Sequence, residues 1–336
     1  MKNLLYIGNQ LKHNTGTITS IDSLGALLEN EGYSIAYASS KNIKIYRLMD
    51  MMLAVLKSRK NVDYVLIDTY STLNFYYAFL VSQLCRVLNL KYIPILHGGN
   101  LPHRLEQNPK LSNLIFNNAY KNISPSNYIK SEFDRLDYSN TICIPNSIEI
   151  SKYPFEKKDF KSIRLLWVRS FSEIYNPMLA VTILKSLQDQ GFSAELCMIG
   201  PEKDGSLNQC KNYAKELNVD VYFPGKLSKS EWVKLSSHYN IFINTTNYDN
   251  MPVSVIEAMA LGFPIISTNV GGMPFLIDHH KDGVLVNPND ANGFVKEIKS
   301  LISNPEKAIA VGNSARTKAE SFDWDLIKQQ WMAIFK

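Results

Sequence analysis

The chain has 336 residues, more than one ordinary hydrophobic core accommodates and enough for two. Hydrophobic residues make up 45% and charged residues 20%, a balance that excludes a largely disordered chain. The formal net charge is only +5, with 15 basic and 11 acidic side chains in residues 1–150. That bias is too mild to indicate nucleic acid, but it suits an anionic ligand or a membrane surface.

Taken in chain order, short apolar runs alternate with amphipathic stretches. Leu4–Gly8, Ser34–Ala38, Tyr64–Asp68, Tyr92–Leu96, Asn122–Ser124 and Thr141–Ile144 read as strands. Ile18–Glu31, Tyr46–Arg59 and Phe75–Leu88 read as helices between them. The alternation then restarts, with strands expected at Arg164–Val168, Glu195–Ile199, Val221–Phe223, Ile241–Asn244, Pro264–Ser267 and Val284–Val286. Such spacing predicts an α/β chain with two parallel sheets, each covered by helices on both faces. Turn formers from Pro145 to Pro154 place the boundary near residue 150. The expected division is therefore 1–150, 151–320 and a terminal helix over 321–336. Two such sheets would face each other across a cleft, with ligands bound in loops after the strands.

The opening run Leu4–Ile7 is too short for the apolar region of a secretory signal, and no run of about 18 or more apolar residues occurs. The cysteines (Cys85, Cys143, Cys197, Cys210) are widely spaced and form no CxxC pair, so neither zinc nor a disulfide framework is indicated. A cytoplasmic location is expected, with the inner face of the membrane as a second possibility.

The most informative stretch runs from Asn247 to Pro264: Asn-Tyr-Asp-Asn-Met-Pro-Val-Ser-Val-Ile-Glu-Ala-Met-Ala-Leu-Gly-Phe-Pro. It follows a strand and enters a helix at Pro252 or Val253. The free amides at that helix start form an anion site. Asp249 and Glu257 flank it, and carboxylates accept hydrogen bonds from sugar hydroxyls. A second reading is open on spacing alone: Ser254-x-x-Glu257 is also a capping box, and Asp249 suits a turn.

This stretch resembles the signature of glycosyltransferase family 4, retaining enzymes of the GT-B fold. The match covers Asp249, Glu257 through Pro264, Val270–Pro274 and Asp282–Val286. Pro145-Asn146-Ser147, Arg169, Gly200-Pro201 and Phe223-Pro224-Gly225 follow the same order. The resemblance implies transfer of a sugar from a nucleoside diphosphate sugar, UDP or GDP first, to a glycan or lipid-linked acceptor. It implies no metal and no bound cofactor, and polysaccharide assembly as the setting. Glu257 would hold the ribose and Asp249 the donor sugar. Arg169 and the backbone of Asn250, Met251, Pro252, Val253 and Ser254 would hold the diphosphate, and Gly200, Pro201, Gly225 and Lys226 would line the base pocket. In the first half, Gly16 would let a loop approach the ligand, and His97, before Gly98-Gly99, would contact the donor sugar.

Two departures stand out. Asp249 replaces the usual Glu. The Lys that follows the Arg by five or six positions is absent, since Ile174, Tyr175 and Asn176 stand there. A non-catalytic nucleotide-sugar-binding relative is therefore the alternative reading. The helix over 43–60, apolar with basic ends, is expected to be well buried with snorkelling ends, and membrane contact is the alternative. Asp323-Trp324-Asp325 spells a metal-site DxD but sits at a helix start, where Asp323 suits a cap. Trp324 and Trp331 are expected to anchor the last helix by packing.

Overall fold

A computed structural model describes residues 2–10 and 19–336. By contacts the chain divides into two compact units, residues 1–145 with 325–336, and residues 146–324.

The first unit contains β1 (Asn3–Ile7), α1 (Ser20–Asn30), β2 (Ser34–Ala38), α2 (Lys44–Ser58), β3 (Tyr64–Thr69), α3 (Asn74–Val87) and β4 (Tyr92–Leu96). It continues through α4 (Leu101–Gln107), α5 (Pro109–Phe116), β5 (Asn122–Ser124), α6 (Asn127–Arg135) and β6 (Thr141–Cys143). The strands form one parallel sheet in the order β2-β1-β3-β4-β5-β6. Every residue of β3 and β4 is buried, as a parallel sheet covered on both faces requires.

The second unit restarts the pattern with β7 (Ile163–Val168), α7 (Pro177–Asp189), β8 (Ala194–Ile199), α8 (Ser206–Glu216), β9 (Tyr222–Gly225), α9 (Lys229–Ser236) and β10 (Ile241–Asn244). It closes with α10 (Val253–Ala260), β11 (Ile265–Thr268), α11 (Met273–Leu276), β12 (Val284–Val286), α12 (Ala291–Ser303) and α13 (Pro305–Glu320). Its sheet is also parallel, in the order β12-β11-β10-β7-β8-β9. Strand alternation separates two cores. Leu165, Trp167, Ile241 and Ile243 pack on one face, and Leu166, Phe242, Val255 and Met259 on the other. These two six-stranded parallel sheets flanked by helices bear out the expected fold class.

α14 (Trp324–Ile334) ends the chain. Within the first unit, Phe335 packs against the rings of Tyr33 and Tyr64, the Tyr64 hydroxyl donates to the Lys336 carbonyl (2.9 Å), and Lys328 pairs with Glu31 (3.2 Å). Trp324 falls in the second unit and Trp331 in the first, and both are buried. Asp323 does more than sit at a helix start. Its carboxylate accepts from the Ile150 amide (3.2 Å) and so ties the linker segment to the end of α13.

One expectation is overturned. Helix α2 is not well buried. Arg47, Met51 and Val55 face inward, four residues apart, while Ile45 (70% exposed), Met49 and Leu53 form an outward apolar stripe. Ile43 and Tyr46 extend that stripe, and the Tyr77 hydroxyl donates to the Lys44 carbonyl (3.3 Å), which sets α3 beside it. Leu73, Tyr76 and Leu80 add further exposed apolar groups there. Sequence pattern alone missed this, because apolar residues occupy both the inward and the outward stripe.

Candidate functional site

The second unit's strand order reverses between β7 and β10: β8 and β9 follow on one side of β7, and β10 to β12 lie on the other. In open parallel sheets this reversal opens the crevice where ligands bind, at the carboxyl ends of the strands. Arg169 directly follows β7, and the loop 245–252 follows β10. Topology thus brings Arg169 and the 245–252 loop to one place in the second unit.

The Arg169 guanidinium pairs with the Asp249 carboxylate, both side chains being only 12% and 13% exposed. It also lies over the Tyr175 ring, 4.0 Å from the centroid. Asp249 takes a bond from the Asn250 amide (2.9 Å). Burial pushes its carboxyl up from the usual carboxylate range, and Arg169 opposes that rise.

The loop holding Asp249 is braced from behind. The Gly272 amide donates to the Asp249 carbonyl (3.0 Å). A Cβ at Gly272 would lie 1.8 Å from the Asn250 carbonyl oxygen, so only glycine lets the two backbones approach. Gly200 has a similar reason: a Cβ there would lie 1.7 Å from the Arg169 carbonyl oxygen. Its amide donates to the Gly225 carbonyl (3.0 Å), joining two residues expected at the base pocket, while Phe171 donates to the Pro201 carbonyl (2.8 Å). The Asn146 side chain donates to the Met251 carbonyl (2.7 Å), so the linker also supports the motif.

Pro252 precedes α10, whose first residue is Val253. Ser254 is its second residue and cannot be the N-cap, so no capping box forms with Glu257. Instead Glu257, 3% exposed, is held by the Tyr153 hydroxyl (2.8 Å) and by the Lys229 ammonium, both on Oε1. Burial, then the adjacent Glu257, pushes the Tyr153 phenol far above its ordinary value, so it stays a donor. Among the described residues, two buried polar atoms near this helix start lack any partner: Ser254 Oγ and Arg169 Nε. Buried donors are rarely left so, and both suit an anion at the amides of Val253 and Ser254. Lys226 is exposed beside Gly225.

His97 lies in the first unit, at the carboxyl end of β4. Its Nε2 meets Asp68 Oδ1 (2.7 Å), Tyr6 donates to the same oxygen (3.0 Å), and Tyr70 stacks on the ring (5.2 Å). Asp68 ends up where this sheet's order reverses, between β1 and β3. Gly16 lies outside the described residues. Among the described residues no group of three or more His, Cys, Asp or Glu side chains is placed to hold a metal ion.

Sequence reasoning missed Tyr153, Lys229, Tyr175 and Asp68. Tyr153 and Lys229 stand 104 and 28 positions from Glu257, and nothing local marks them.

A family profile described as glycosyl transferases group 1 matches residues 151–318, half of the chain and nearly all of the second unit. The chain belongs to this family. Among its relatives, sulfoquinovosyl transferase SQD2 of Arabidopsis thaliana is 27% identical over 153 residues, 43% of this chain and 28% of that protein. The chain spans less than half the length of the first curated relatives it matches, reaching 48% for spore coat protein SA of Bacillus subtilis. Sucrose-phosphate synthase from Thermosynechococcus elongatus superposes with a TM-score of 0.84 at 16% identity, over 100% of this chain and 98% of that one. Anabaena HepE, solved in complex with UDP and glucose, gives 0.78 at 16% identity over 99% of each chain. The fold is therefore GT-B, that of these glycosyltransferase structures.

Proposed function

We propose that this group 1 glycosyltransferase transfers a sugar from a nucleoside diphosphate sugar to a glycan or lipid-linked acceptor with retained configuration and without a metal. The second unit would take the donor and the first the acceptor, in polysaccharide assembly. The observation that carries the reading is the pairing of Arg169 with Asp249 beside two orphaned buried donors, at a helix start on the switch point.

Departure of the nucleotide builds charge on its phosphate. Arg169, whose Nε has no other partner, and the start of α10 stabilise that charge. Asp249 accepts from donor-sugar hydroxyls and Glu257 from the ribose. The acceptor oxygen bonds to the anomeric carbon on the face that the phosphate leaves, and the departing phosphate oxygen takes the acceptor proton. His97, with Nε2 engaged by Asp68, offers Nδ1 to a sugar hydroxyl. UDP is favoured because HepE is described in complexes with UDP and with UDP-glucose.

A thermal-unfolding panel with UDP, GDP, ADP and CMP in EDTA tests this. One diphosphate at about 100 times its Kd is expected to add about 2.7 kcal/mol of stability. No shift with any of them overturns the reading, and a shift seen only with magnesium restored overturns its metal-independent part. Binding without transfer would favour the non-catalytic alternative, to which Tyr175 in place of the Lys points.

The exposed face of α2 and α3 supports membrane contact near a lipid-linked acceptor. Five exposed basic side chains (Lys41, Lys44, Lys57, Arg59 and Lys60) stand here against one acidic, Asp50, and this charge complements an anionic leaflet. The protein is expected to sediment with phosphatidylglycerol vesicles and not with phosphatidylcholine alone. Ile45→Glu with Leu53→Glu should abolish that binding while leaving nucleotide stabilisation intact. Retained vesicle binding in the double variant would remove α2 from the contact.

A further inference from the structure

We infer that Lys229 is a second cation for the donor diphosphate, exchanged from Glu257 to the phosphates as the ribose hydroxyls take its place on the carboxylate. The inference rests on the functional reading above and adds a residue that this reading does not contain.

The site's charges come in matched pairs. Asp249 is paired with Arg169, and Glu257 with Lys229. A nucleoside diphosphate brings further negative charge beside two buried carboxylates, and such charge is tolerated only where cations meet it. Arg169 by itself brings one positive charge to a diphosphate that carries more than one negative charge, and Tyr175 covers one face of its guanidinium. Lys229 supplies the missing charge. If hydroxyls donate to Asp249 and Glu257, both cations are released to the phosphates, and the exchange needs no change in the protein's own charge.

The geometry permits the move. Glu257 is 3% exposed, whereas the Lys229 side chain is 47% exposed, so the pair sits at the mouth of the site with its mobile member outward. Lys229 is the first residue of α9. Its backbone is fixed by the Ser228–Glu231 capping box, with the Ser228 amide donating to Glu231 (2.7 Å). Only the four-carbon stem has to swing. Glu257 is the fifth residue of α10, and side chains lean toward a helix's N-terminus. Glu257 therefore follows Val253 by about one 5.4 Å turn along the helix axis, and its carboxylate, with the ammonium on it, lies toward the anion-binding end of the helix.

The test compares a nucleoside diphosphate with its nucleoside, UDP and uridine first, by calorimetry on the full chain. Lys229→Met is expected to weaken UDP about tenfold and to leave uridine unchanged or tighter, because the ribose no longer competes for Glu257. Lys229→Arg, which keeps the charge, should restore most of the UDP affinity. Equal weakening of UDP and uridine would mean that Lys229 only positions Glu257, and would overturn the inference. Unchanged binding of both would also overturn it while leaving the functional reading intact. Failure of the wild type to bind any of the four nucleoside diphosphates would remove the functional reading, and the inference with it.

Discussion

Glu257→Gln is expected to weaken nucleotide binding by about 10- to 100-fold, as for loss of a charge-assisted hydrogen bond, and to reduce transfer at least as much. The substitution keeps the shape of the side chain. Its amide oxygen can still accept from the Tyr153 hydroxyl, so the buried phenol keeps its partner. What is lost is the negative charge that, in the proposed reading, accepts from the ribose, and that holds Lys229 at the site. The variant should therefore unfold within a few degrees of the wild type and lose most of its stabilisation by the nucleotide. Calorimetric Kd and a transfer assay on the same preparation check this. Wild-type Kd and turnover in a folded Glu257→Gln protein would remove Glu257 from the donor site.

Arg169→Met is expected to cost more in stability, on the order of 3 kcal/mol near neutral pH, because it strands a buried carboxylate. Asp249 is 13% exposed, and its carboxyl is already raised by burial, with Arg169 as the main opposing influence. Removing the guanidinium raises it further. A carboxyl raised in the folded state contributes stability that is fully present below its unfolded value and is lost as pH rises through the folded value. The variant's deficit should therefore be small near the unfolded carboxyl value and grow as pH rises. Urea unfolding of both proteins at acidic and at slightly alkaline pH measures it. A deficit independent of pH would mean that Asp249 is not the stranded group. The same variant should also lose nucleotide stabilisation, since it removes the orphaned Nε donor as well.

Much of the candidate site was legible because it is local. Asp249 through Glu257 are a loop and one helix, and their spacing fixes a carboxylate on each side of the helix start. Whether Ser254 and Glu257 form a capping box was not legible. It turned on where α10 begins, and Val253 as first residue makes Ser254 the second and frees Glu257 from the backbone. Burial of α2 was misread for a different reason. Its stripe at 45, 49 and 53 is more apolar than that at 47, 51 and 55, which starts with Arg47, so periodicity pointed away from the stripe that faces the sheet.

The partners of the key residues belong to another class. Tyr153 reaches Glu257 and Asp68 holds His97 only because separate segments meet. By itself the sequence determined two parallel α/β units, the order of their strands along the chain and the helix start that invites an anion, since these follow from alternation, turn residues and short-range spacing. Only the tertiary structure decided which strands are neighbours. Placing β10 beside β7 brings Asp249 to Arg169 across 80 positions, and no local periodicity encodes a pairing between residues so far apart in the chain.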